Sequence, residues 1–192
     1  MPMRLVGALA DRTQWVADDC SIDRTMRILG TRSAMLIMRE AHYGTTRFDD
    51  FVRRVGITEA VAAARLRELL KAGLLERRTY QEPGQRSRKE YVLSQAGVDL
   101  QPALLALMQW GDRHLPRPDG PPLVLRHAGC DAPVALRLAC EQGHEVQPEE
   151  VAVHSSSAWE CPGRRNERPG PGPHEHPEPS GWGHPFSRDC GA

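Results

Sequence analysis

Basic and small residues gathered around one short helix are the part of this chain equipped for chemistry. Thr58, Glu59, Ala60, Ala63, Ala64, Arg65 and Arg67 occupy the exposed positions of that helix. Just beyond it, Arg77, Arg78, Arg86, Arg88 and Lys89 crowd two strands and the turn between them. Guanidinium and ammonium groups at this density suit phosphate oxygens, and an arginine early in a helix reaches a guanine edge in a major groove. The chemistry implied is non-covalent recognition of a polyanion. The competing reading is a small helical domain whose charges are merely solvated.

Two further sets carry reactive side chains. Cys20 sits at a helix start, where a reactive thiolate needs access and nearby positive charge. Arg24, one turn on, favours the thiolate, whereas Asp18, Asp19 and Asp23 oppose it. A small residue buried at an interface is the other reading of Cys20. His127-x-x-Cys130 and Cys140-x-x-x-His144 supply the donor types of a tetrahedral zinc site. The paired Cys-x-x-Cys of a zinc ribbon is missing at both ends, so a decayed ribbon fits equally. The chain requires no cofactor on this reading; zinc is the one metal to consider. His174, His176 and His184 read as a solvated low-complexity run.

The elements that would position these groups follow one another quickly. Ile22 to Leu29 reads as a helix with Ser21 as its N-cap, and Ala34 to Ala41 as a buried core helix closing at Gly44. Phe48 to Val55 places Phe48, Phe51, Val52 and Val55 on one face and stops at Gly56. After the turn Val55-Gly56-Ile57, Thr58 caps the next helix. Val61, Ala62, Leu66, Leu69 and Leu70 form its apolar stripe, and Gly73 ends it. Leu74 to Tyr80 and Arg86 to Leu93 read as strands joined by a Pro-Gly turn at residues 81–85. Ser94 caps a long helix to about Leu115, which the proline at 102 would kink or restart. The class is mainly α with a small β-hairpin, and the order is that of a winged helix–turn–helix.

Composition bounds the rest. Net charge over 192 residues is zero, yet residues 20–115 carry about +5 and residues 116–192 about −4. A basic front half with an acidic tail is polarised in a way that the whole-chain charge hides. The expected organisation is a lead-in at 1–19, a winged domain at 20–115, a small appendix at 116–154 and a disordered Pro/Gly/His-rich tail at 155–192. With no membrane-length apolar run and no signal peptide, a cytoplasmic protein is expected. Five widely spaced cysteines argue against a disulfide framework.

Several short pieces, in order and at matching spacing, resemble the HxlR-type winged helix–turn–helix regulators of bacteria, a MarR-like group. They are Cys20-Ser21-Ile22-Asp23-Arg24, Ile28-Leu29-Gly30-Thr31-Arg32, Leu36-Ile37-Met38-Arg39-Glu40 and Gly44-Thr45-Thr46-Arg47-Phe48. Arg65-Leu66-Arg67-Glu68-Leu69, Gly73-Leu74-Leu75, Glu90-Tyr91-Val92-Leu93 and Trp110-Gly111 continue them. The resemblance implies a homodimeric transcription factor, most often a repressor, on a pseudo-palindromic double-stranded DNA operator. It implies dimerisation through Ile22–Leu29 and Ser94–Leu115. It adds Arg47 to the DNA contacts and matches Cys20 to a cysteine that senses oxidants or electrophiles in some members; a small-molecule effector is the other signal. Any disulfide of Cys20 would involve the other subunit or the appendix. Three positions depart from the family pattern: Ser33 replaces a tryptophan, Ala60 a lysine and Ala62 a core leucine. Arg65 and the wing are therefore expected to supply much of the affinity. The alternative function is a winged-helix protein-interaction module without direct DNA binding. No nucleophile–base set, phosphate loop or suitably spaced carboxylate pair points to an enzyme.

Overall fold

Apolar side chains at helical spacing build the centre of the molecule. The computed structural model describes residues 3–11, 20–81 and 87–156. The helices are α1 (Ser21–Leu29), α2 (Arg32–His42), α3 (Phe48–Val55), α4 (Glu59–Lys71), α5 (Gln95–Asp99) and α6 (Gln101–His114). Ile37 and Met38 of α2, Phe51 of α3, Leu66 and Leu69 of α4 and Leu75 are fully buried against one another. Ala62 is buried beside them, so a small residue fills a core position there.

Local chemistry sets the boundaries. The Thr31 hydroxyl accepts from the amide of Ala34, and that of Thr58 from Val61, each satisfying an otherwise unpaired helix amide. Gly56 takes φ 68° at the end of α3, a left-handed cap that glycine adopts without a steric penalty. At α1 the cap differs from expectation. Cys20, not Ser21, is the capping position, and Ser21 lies inside the helix, its carbonyl accepting from the Thr25 hydroxyl. The expected long last helix is two: Leu100 breaks it, and Pro102 falls in the first turn of α6, where its missing N–H costs nothing.

Strands β2 (Leu75–Tyr80) and β3 (Arg88–Leu93) pair antiparallel, Leu75 opposite Leu93 and Tyr80 opposite Arg88. Phe51 meets Tyr91 edge to face at 6.2 Å, seating the hairpin on the helices. Gly97 of α5 lies so close to the hairpin base that a Cβ there would come within 2.2 Å of the Leu74 carbonyl oxygen. A polar knot ties α2 to α3. Arg39 bonds the buried carboxylate of Glu40, Thr45 bonds Glu40, and Arg54 donates to Thr45 at 3.1 Å.

Beyond α6 the described residues form small paired segments with no buried residue among them. Strands β4 (Leu138–Ala139) and β5 (Glu145–Val146) make an antiparallel pair, and β6 (Ala152–Val153) pairs in parallel with β1 (Arg4–Leu5) from the opposite end of the chain. The Gln109 side chain of α6 holds this appendix by donating to the Val134 carbonyl at 2.8 Å and accepting from the Leu136 amide at 3.0 Å. The expected tail falls mostly on residues 157–192, outside the described residues, as do Arg86 and most of the turn at 81–85.

Candidate nucleic-acid interface

Helix α4 presents its N-terminus and one flank to solvent. Thr58, Glu59, Ala60 and Arg67 are exposed, while Ala63 and Ala64 are half-buried. Val61, expected in the apolar stripe, is 39% exposed, because the stripe turns inward only at Ala62. It adds an apolar contact surface of the kind that meets a thymine methyl; sequence periodicity alone could not separate it from its buried neighbours. Arg65 is less available than its position suggests. Its guanidinium is paired with Glu68 one turn on, and its Nε is buried with no hydrogen-bond partner among the described residues.

The wing divides its cations into two groups. Near its base, Arg78 pairs with Glu90 at 2.8 Å, and Arg77 lies over the Tyr91 ring. Glu90 is held below the usual carboxylate range, first by the Arg78 hydrogen bond and then by bonding to Thr46 and the charges of Arg78 and Arg47. Arg47 also lies 5.1 Å from the centroid of the Tyr80 ring, so it joins the start of α3 to the wing. The Tyr91 amide donates to the Thr46 carbonyl at 2.8 Å and secures the same junction. Further out, Arg88 and Lys89 are exposed, opposite Tyr80 and Thr79. Glu90 thus neutralises the wing's base while its outer end stays cationic, the distribution needed to grip a phosphate backbone flanking a groove.

The thiol and metal candidates are placed less favourably. Cys20 is half-buried at the start of α1, and Arg24 turns to the Ser21 hydroxyl at 3.0 Å. His127 Nδ1 lies 3.1 Å from Cys130 Sγ. Cys140 and His144 face each other through their backbone across the β4–β5 turn, the Cys140 amide donating to the His144 carbonyl. The described residues hold no group of three or more His, Cys, Asp or Glu placed to share a metal. The four candidate zinc ligands are thus not gathered in one cluster: His127 meets Cys130 in one turn, and Cys140 bonds His144 across another. Among the described residues, no helix is long and apolar enough to cross a membrane.

Comparison with known proteins agrees with this geometry. The model of the family HxlR-like helix-turn-helix matches residues 28–119. The uncharacterized HTH-type transcriptional regulator Rv3095 of Mycobacterium tuberculosis is 42% identical over 132 residues, covering 68% of this chain and 82% of its own. The crystal structure of PA1607, described as a candidate transcription factor, superposes with a TM-score of 0.64 at 30% identity over 71% of this chain and 95% of its own. PA1374 of Pseudomonas aeruginosa, similarly described, gives 0.52 at 34% identity over 72% and 94%.

Proposed function

This chain belongs to the HxlR-like helix-turn-helix family of transcriptional regulators, and from that premise we propose that it is a homodimeric, sequence-specific DNA-binding repressor released by an oxidant or small-molecule signal. Helix α4 enters the major groove, with Thr58, Glu59, Ala60, Val61, Ala63 and Ala64 near the bases. Arg47, Arg67, Arg88 and Lys89 engage phosphates. Arg65, already paired with Glu68, contributes less to affinity than the wing.

The observation that carries this reading is the wing's charge arrangement, with Arg78 paired to the buried Glu90 near the base and Arg88 and Lys89 left exposed further out. Dimerisation is supported by apolar side chains in solvent on the first and last helices. Ile22 of α1 is 72% exposed and Trp110 of α6 is 56% exposed, and α6 buries no residue completely. A dimer joined there would carry two α4 helices, the number that a pseudo-palindromic operator requires.

Fluorescence anisotropy with DNA from upstream of the gene, across a salt series, tests the proposal. The double variant Arg88→Ala, Lys89→Ala should bind all sequences more weakly, and with two wings per dimer its log K against log salt slope should fall by about 2 to 4. An unchanged slope would remove the wing from the phosphate contacts. A wild type that binds no DNA at low salt would favour the protein-interaction reading.

A further inference from the structure

A cavity of about 520 Å³ lies between α2, α6 and the appendix. Its walls are mainly apolar, with Leu36 from α2, Leu105 and Met108 from α6, and Leu125 and Val134 from the appendix. That volume falls in the range of small-molecule sites, and apolar walls with a few convergent polar groups are their usual lining. The polar lining comprises Gln101, the Tyr43 hydroxyl, which donates to Met108 Sδ, the His42 ring and two guanidinium groups. Arg39 and Arg126 both line the cavity, their side chains 40% and 51% exposed. Arg39 directs Nε and Nη2 to Glu40, and Arg126 directs Nη1 to Asp131; five donors on each guanidinium leave others over. His42 also lines the space. Its Nδ1 lies 2.8 Å from the Met38 carbonyl oxygen, and its Nε2 is buried with no hydrogen-bond partner among the described residues.

We propose that this cavity is the effector site of the protein, and that it takes an amphipathic organic anion with an apolar body and a single carboxylate or sulfonate. The inference rests on the regulator reading and supplies its signal. The wall formed by Leu125, Arg126 and Val134 lies beyond the residues 28–119 that the family shares, so the appendix completes a site that the winged domain lacks alone. Gln109 fixes that wall by its two bonds to Val134 and Leu136. The route to DNA is a hydrogen-bonded one. An anion on Arg39 competes with Glu40, and Glu40 holds Thr45, which receives Arg54 of α3, the first helix of the helix–turn–helix pair. An anion that binds better when the Arg39–Glu40 bond is open than when it is closed would shift the placement of α3 and, through the turn, of α4.

The test uses the full chain and 1-anilinonaphthalene-8-sulfonate, whose fluorescence rises in an apolar site. One molecule per chain should bind. Val134→Trp fills the cavity from the exposed appendix wall and should weaken binding at least roughly tenfold. 1-Naphthoate should displace the probe roughly fivefold better than the neutral 1-naphthamide, and Arg126→Gln should erase most of that preference. Naphthoate should also change operator affinity in wild type and not in Val134→Trp. Equal probe binding by Val134→Trp overturns the site, as does an absent preference for the anion. Probe binding that disappears as the protein dimerises also overturns it, since a second copy then fills the space. Wild type that binds the probe at this site but binds no DNA supports the site and overturns the regulator reading. Operator binding that is intact and indifferent to naphthoate leaves the regulator reading standing and overturns the effector role.

Discussion

The winged domain and the appendix are held together by opposite means. In the first, Phe51, Ile37, Leu66 and Leu69 are removed from water, and hydrogen bonds close around a packed centre. In the second, residues 116–156 bury none of their side chains fully, and Leu138 and Val124 stand in solvent. Strands of two residues cannot bury a face between them. The appendix takes its shape from attachments: Gln109 on one side and β1 on the other. One region is therefore built around a packed centre, whereas the other is a surface positioned by its neighbour, which fits its proposed place as one wall of an effector site.

The sharpest way to break this contrast is in the core. Phe51→Ala should cost about 3 to 5 kcal/mol in urea unfolding, from lost transfer energy and a cavity against Tyr91. A cost near zero would mean the helices are not packed as described. A smaller effect, confined to the hairpin, concerns Glu90. Because its carboxyl is held below the ordinary range, the ionised form stabilises the wing. That contribution is complete above the ordinary carboxylate pKa, near about 4.3, and is lost as pH falls through the depressed value. Wild type should therefore protect β2–β3 amides from exchange better than Glu90→Gln at neutral pH, and the gap should close in acid. A gap that persists unchanged into acid would assign the difference to packing instead. The smallest effect belongs to the appendix: Leu138→Ala should change global stability by under about 0.5 kcal/mol. A cost comparable with that at Phe51 would reveal a buried second core and end the contrast.

Much of the winged domain is legible in the sequence because its elements carry local signals. Thr58 and Gly56 bracket the turn chemically, and the spacing of Leu66 and Leu69 is enough to name the buried face. Val61 departs from its expected place because periodicity fixes a stripe's direction and not where the stripe leaves the protein surface. Cys20 rather than Ser21 holds the cap of α1; helix starts vary by a residue when no side chain captures the first amides. Arg65 is paired with Glu68 rather than free, and the spacing of the two on one helix face allows it. The pairing of β1 with β6 has no local signal, since two residues in each of two distant segments do not specify a partner. The cavity is equally hidden. Its walls come from three segments whose apolar residues each read as ordinary core or loop positions.

The β1–β6 pairing also bears on the order in which the chain assembles. It joins Arg4 to Ala152 and so closes nearly the full length of the described chain. Loop-closure entropy for such a pair is repaid only after the intervening helices have condensed. This pairing should thus be the last to form and the first to open, with Leu5 and Val153 amides exchanging long before those of α2. In a nascent chain the winged domain would be complete while β6 is still being made, and the mature shape of the appendix would arise only as these two distant strands meet.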